Sequence, residues 1–362
     1  MKGMKMICGT VIVAAAIFLL SFLDNWAASM QGKYRTESPA FDTQDVSSEA
    51  KPDREKTKKV LFETGEMIVY EDRVRMKFSY TDKQIQNAAK TIGQLKEIDG
   101  VENVFLVPVP PSILTEKSDA GAREEYEQYI KGLQQAVGEK NVADVFPMLE
   151  EREEAMFFRT DASWTPLGAY YGSCMVKEKL GAGIHELAEY EEYRYNSFKG
   201  DTYFMALEVC PDESLKETVR TIMPETIDCY IFPEGKNLEK LEKKTESGTE
   251  WRACPVFVQS RKGIGTVVGG GKWTRAIVEG NGQAGGLLML VDDSGKLMVP
   301  YLAEDYEKVY VVNISWCEEI KEKLPGFIEK YGIRDIVWAQ SAERIGNEGY
   351  SRALLGYMTE EK

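Results

Sequence analysis

The sequence predicts an α/β domain with a mostly parallel sheet and a polar, partly β insertion, carried behind a single N-terminal apolar helix. Three observations predict it. Buried-strand patterns alternate with helical stripes along most of the chain, cap and turn residues punctuate them, and the one long uncharged apolar run lies at the N-terminus.

The elements follow in order. Lys2 and Lys5 precede the apolar run Met6 to Leu23, and Asp24 follows it, so the positive flank is N-terminal and the rest of the chain is expected outside the cytoplasmic membrane. At ~1.5 Å per residue such a helix reaches across a bilayer. Residues 1–28 are therefore read as a signal anchor. Ala27, Ala28 and Ser29 also suit a cleaved signal peptide, which would secrete the domain. Residues 29–58 are rich in Ser, Thr, Pro, Asp, Glu and Lys without periodic apolar positions, the composition of a flexible tether.

From residue 59 to residue 362 the pattern is that of a folded domain. Val60 to Phe62, Met67 to Tyr70 and Arg73 to Tyr80 alternate like short strands. Thr81 is a good N-cap for a helix whose stripe is Ile85, Ala88, Ile92 and Leu95, and Val104 to Val107 follows as a buried strand ended by Pro108, Pro110 and Pro111. A helix over Gly121 to Val137 leads to a short strand near Val142 to Val145, and Thr165-Pro166 opens another helix packing through Ala169, Tyr170, Cys174 and Leu180. The polar segment 190–272 mixes helix and strand signals and reads as an insertion, with Lys240 to Lys244 as a solvated loop or helix face. Strands return at Leu287 to Val291, Val309 to Ile314 and Ile336 to Ala339, with helices over Leu297 to Tyr306 and Cys317 to Tyr331 between them.

Composition narrows the chemistry. A formal charge of −14 repels a phosphate backbone, so nucleic acid is excluded as a partner. His185 is the only histidine, and the six cysteines (8, 174, 210, 229, 254 and 317) contain no C-x-x-C pair, so neither a metal site nor any other cofactor is expected. With Cys8 in the apolar run, five cysteines remain, an odd number that leaves room for one bridge among Cys210, Cys229 and Cys254. The glycines at 263, 265, 269, 270 and 271 follow no strand-to-helix fingerprint for phosphate.

Two segments carry chemistry. Thr160-Asp161-Ala162-Ser163-Trp164 leads into a helix, and Asp293-Ser294 lies past the carboxyl end of the strand Leu287 to Val291, where ligands of such sheets bind. By spacing alone, Asp293-Ser294-Gly295 reads first as an ordinary turn, and Gly280-Asn281-Gly282 also reads well as a tight turn.

FFRTDASWTPLGAYY (Phe157 to Tyr171) resembles the signature of the DHHW family, related to SGNH-hydrolase-like alginate O-acetyltransferases, in which Thr-Asp-His-His-Trp-Thr precedes Gly-Ala-Tyr. FLVPVPPSIL (Phe105 to Leu114), Phe198-Lys199-Gly200, Gly280-Asn281 and VDDSGKLMVPYLAEDYEKVYVVN (Val291 to Asn313) resemble further family segments in the same order. The resemblance implies an SGNH-hydrolase-like three-layer fold with Ser294 as nucleophile, Asp161 as the orienting carboxylate of a triad, and Trp164, Asn281 and Asp293 as binding residues.

The base is missing from that scheme. Where the resemblance implies a histidine stands Ser163, whose hydroxyl does not titrate near pH 7 and cannot take the proton of Ser294. The family's Lys-Asp-Ser-Tyr-Ala-Asn is here Asp292 to Leu297, and its Asp-x-Arg is Asn313-Ile314-Ser315, an added carboxylate and a lost cation. His185 lies among glutamates beyond the helix that starts at Thr165. The first reading is thus a catalytically impaired, membrane-tethered protein that serves surface polysaccharide or its assembly proteins. An active O-acetyltransferase or esterase using Ser294 and Asp161 is the second, and a protein-docking module the third.

Overall fold

A computed structural model describes residues 59–116, 119–152, 155–231, 238–245, 248–252, 273–280 and 282–358. The N-terminal helix, the tether, Cys8, Cys254 and Asn281 lie outside the described residues.

The domain opens with a three-stranded antiparallel sheet, β1 (Val60–Glu63), β2 (Met67–Tyr70) and β3 (Val74–Met76). The third strand is shorter than the alternation from Arg73 to Tyr80 predicts. Phe78 leaves the ladder and enters the main core instead, its ring 5.7 Å from those of Tyr126 and Tyr129. Thr81 then caps α1 (Asp82–Lys96) in a reciprocal pair with Gln84, and Ala88, Thr91, Ile92 and Leu95 are buried.

β4 (Asn103–Val109) and α2 (Ala120–Val137) follow, the latter capped by the Asp119 carboxylate. The strand expected at Val142 to Val145 shrinks to a single bridge from Val142 to Leu106. Asp144 accepts the Phe146 N–H, and Pro147 has none to give a ladder, so the chain turns into α3 (Phe146–Glu150). α4 (Pro166–Leu180) begins as predicted, with Thr165 as N-cap, and ends on Gly181 at φ 68°.

The segment 190–272 divides in two. β5 (Glu191–Phe198) and β6 (Glu225–Ile231) form an antiparallel ribbon enclosing α5 (Asp201–Glu208) and α6 (Glu213–Arg220). β7 (Leu238–Thr245) and β8 (Gly248–Arg252) instead extend the main sheet through β9 (Arg275–Glu279). Lys240 to Lys244 are therefore strand residues, a correction explained by the ladders that β9 and β8 supply on either side and by Arg275 of β9, which pairs with the buried Glu242.

The main sheet is completed by β10 (Ala284–Val291), β11 (Tyr306–Asn313) and β12 (Ile333–Ser341), in the order β4-β12-β10-β11-β9-β7-β8. The first four strands are mutually parallel and the last three antiparallel, so the sheet is mixed, with the parallel part carrying the most continuously apolar runs. The helix expected over Leu297 to Tyr306 is only α7 (Val299–Leu302), because Tyr306 already pairs with Ala284. The one expected over Cys317 to Tyr331 breaks into a 3-10 turn (Ile314–Glu319) and α8 (Leu324–Tyr331), with Pro325 in its first turn. α9 (Glu348–Met358) closes the described chain. Cys174, Cys210, Cys229 and Cys317 are free thiols, which removes a Cys210–Cys229 bridge. No described helix is long and apolar enough to cross a membrane.

Candidate functional site

The site is built where β10 and β12 end side by side. Their parallel register sets Val291 opposite Ala339, so Asp292 emerges beside Ser341. Asp292 is buried, and its two oxygens collect almost every donor in reach. Oδ1 accepts the backbone N–H groups of Ser294 and Gly295, each at 3.0 Å. Oδ2 accepts the Ser341 backbone N–H at 3.1 Å and the Ser341 hydroxyl at 2.7 Å, and the Arg344 guanidinium lies 3.7 Å away.

Ser294 is 7% exposed, and its hydroxyl oxygen lies 3.1 Å from that of Ser341. The turn carrying it passes so close to β12 that a Cβ on Gly295 would fall 1.9 Å from the Ala339 carbonyl oxygen; only glycine fits there. Asp293 points outward, 70% exposed, and receives the ammonium of buried Lys296 at 2.6 Å. Asp293, at the position of the family's own aspartate, is thus neutralised by a cation three residues on, whereas the added carboxylate, Asp292, is the buried one.

The segment 160–164 meets this turn through Trp164. The indole is fully buried, its N–H donates to the Ser294 carbonyl oxygen at 3.0 Å, and its ring fills the space a Cβ on Gly172 would take. Trp164 therefore anchors the two segments to each other, and does not line an open groove.

Behind it the backbone is pinned. Glu225 accepts the N–H groups of Arg159 and Thr160 and the Thr160 hydroxyl, and the buried Arg75 guanidinium donates to the Phe158 carbonyl. Asp161 accepts the N–H of Ser163 on one oxygen and that of Asp201 on the other, both at 3.0 Å. Gly200 makes room, since a Cβ there would lie 2.5 Å from Asp161 Oδ2. Burial pushes the Asp161 carboxyl up to about 6, against the pull of its two N–H donors and with help from the nearby Asp201 and Glu225 carboxylates. Ser163 is buried, and its hydroxyl makes no hydrogen bond among the described residues.

His185 has other partners. It follows the end of α4 in an exposed loop, its ring Nδ1 3.2 Å from Glu189 Oε2 and its carbonyl accepting the Tyr170 hydroxyl. The hydroxyl partner of Ser294 is Ser341. Among the described residues no group of His, Cys, Asp and Glu side chains is arranged to hold a metal ion.

A family model described as DHHW protein matches residues 122–312, more than half of the chain and including both segments of the site. The chain belongs to the DHHW family. Its fold is also that of a solved DHHW family protein from Eubacterium siraeum, with a TM-score of 0.68 at 19% identity over 83% of this chain and 98% of that one. PatB1 of Bacillus cereus, solved with a sulfonyl adduct, aligns with a TM-score of 0.60 at 13% identity, over 78% of this chain and 96% of that one. No curated protein matches the sequence.

Within this DHHW-family fold, sequence reasoning singled out Ser294, Asp161, Ser163, Trp164 and Asp293. The structure joins Trp164 to Ser294 directly, and Asp161 and Ser163 to Trp164 through the chain. Asp292 and Ser341 were missed as partners of Ser294, and Arg344 as the cation beside Asp292. Ser341 ends, and Arg344 closely follows, a strand that the sequence places beside β10, and that adjacency was the signal available.

Proposed function

We propose that this DHHW-family chain is an exported, membrane-tethered protein that binds cell-envelope polysaccharide and serves its assembly or modification without catalysing acyl transfer. The observation that carries this reading is the partner of Ser294, a second hydroxyl at 3.1 Å where a nucleophile would need a base. A serine–serine contact cannot take up a proton near pH 7. Ser163, at the position where a histidine is expected, offers another hydroxyl with the same limitation. The electrophilic side is equally unprepared. The backbone N–H groups of Ser294 and Gly295, natural donors to an oxyanion, are both engaged by Asp292. Export and tethering rest on the apolar run behind Lys2 and Lys5.

Acetyl-ester hydrolysis by the full-length chain in detergent tests the proposal. The wild type is expected to match the Ser294→Ala variant and to resist a fluorophosphonate probe. Ser163→His, which supplies an imidazole, is expected to raise hydrolysis by about tenfold to a hundredfold. Wild-type turnover that disappears in Ser294→Ala would overturn the reading and establish an enzyme.

A further inference from the structure

We propose that the outward face of α5 rests on the bilayer to which the chain is tethered, through Phe204, Met205, Val209 and Met223. The proposal rests on the tethered part of the reading above and adds the surface that meets lipid. The opening sheet, α5 and α6 share a small hydrophobic cluster apart from the main core, in which Tyr203 and Ala206 of α5 pack with Val69, Val74, Val219 and Ile222. α5 therefore already has a buried side. Its other side is apolar as well. Phe204 is 50% exposed and Met205 36%, and Val209, four residues after Met205, is 47% exposed. Met223, next to the buried Ile222, is 68% exposed. Half of the large apolar side chains exposed among the described residues thus fall within residues 204–223, and such a grouping marks an interaction surface where single ones would not.

Area, charge and the point of chain entry identify the occupant. A large side chain carries on the order of 200 Å², so at these exposures the four present roughly 400 Å². A stable dimer takes roughly 800 Å² from each partner. A tethered domain needs far less, because residues 29–58, read as a flexible tether, span about 30 Å and hold it at an effective concentration near the millimolar range. The described chain begins at Lys59 and passes at once into β1, whose Leu61 and Phe62 pack on the same small cluster. The tether thus ends on the module that carries the exposed face. Lys199 is engaged by the Tyr203 hydroxyl and the Arg220 carbonyl, and Arg220 by Glu213 and Glu217, so the contact is apolar and suits the boundary between headgroups and acyl chains. Docking would also orient the site. The Asp201 N–H donates to Asp161, and the Tyr203 N–H and Thr202 hydroxyl donate to the Thr160 carbonyl, so α5 cannot turn without the 160–164 segment.

The test uses the full-length chain in phosphatidylcholine proteoliposomes, with benzoylphenylalanine in place of Phe204 or, as a reference outside the module, of the exposed Glu329. After illumination, lipid adducts at position 204 are expected to exceed those at 329 by at least about fivefold. Adding Met205→Glu and Val209→Glu, both at exposed positions, is expected to lower the adduct at 204 by at least about threefold with the circular dichroism unchanged. Equal labelling at the two positions, an unchanged yield in the glutamate variant, or cross-linking of position 204 mainly to a second copy overturns the proposal. An alkaline wash of the wild-type liposomes reports the tether separately. Release of the chain overturns the tethered reading and this proposal with it, whereas retention without excess lipid adduct at 204 overturns this proposal alone.

Discussion

Asp292 and Asp161 are two buried aspartates on either side of the Ser294–Trp164 contact, and they are used in opposite ways. Asp292 is saturated: three backbone N–H groups and a hydroxyl converge on it, with Arg344 at 3.7 Å. Asp161 has two N–H donors, faces further carboxylates at Asp201 and Glu225, and is pushed up to about 6 by burial. The first organises the end of the sheet. The second is a buried carboxyl raised by its surroundings, two residues before Ser163. The comparison teaches that donors decide what burial does to a carboxylate: Asp292 is surrounded by them, whereas the two N–H groups on Asp161 do not offset its burial.

The largest effect expected from breaking this contrast is on stability. Asp292→Ala would strand three N–H groups and the Ser341 hydroxyl in a buried place, at a cost of about 3–5 kcal/mol in total. Urea unfolding followed by tryptophan fluorescence should show the midpoint fall accordingly. A loss under about 1 kcal/mol would mean that water replaces the carboxylate and that Asp292 does not organise the turn.

The next effect is a pH dependence belonging to Asp161. Its carboxyl is raised from the ordinary ~3.9 to about 6 in the folded chain, so between those values the native state holds a proton the unfolded state has released. Stability from this group is full below pH ~4, falls as pH rises through about 6, and stays lost above, by on the order of 3 kcal/mol. Burial also raises Asp144, Glu304 and Glu343, which contribute slopes of the same sign. The informative quantity is therefore the difference between wild type and Asp161→Asn across pH 4.5 to 7.5. The variant should lose the part of the slope due to Asp161; parallel curves would show that Asp161 does not titrate in this range.

Much of the parallel sheet was legible, because β10, β11 and β12 are apolar runs too long and too uniform to be surface. Helix starts at Thr81 and Thr165 were legible for a local reason, a side-chain oxygen within reach of a backbone N–H three residues on. What escaped was decided at long range. The charged run at Lys240 to Lys244 looks solvated until β9 gives it a strand to pair with, and Phe78 deserts its ladder for aromatic partners some fifty residues away. The site divides in the same way. Ser294, Asp161 and Trp164 stand in recognisable local segments, whereas Ser341 owes its role to the register between β12 and β10, which no short motif records.

The smallest effect separates packing from hydrogen bonding at the seam between the two aspartates. Trp164→Ala would empty a fully buried site and confound the two, at about 3–5 kcal/mol. Trp164→Phe retains an aromatic ring near Gly172 but removes the indole N–H that reaches the Ser294 carbonyl. It is expected to cost about 1–2 kcal/mol, part for the smaller ring and part for the carbonyl left without its donor. The sharper consequence is for ligand binding: with the turn no longer tied to the 160–164 segment, polysaccharide affinity should fall by about threefold to tenfold while the stability loss remains modest. Unchanged affinity in a variant with that stability loss would show that Asp292 alone holds Ser294 in place, and that Asp161 and its segment are spectators to binding.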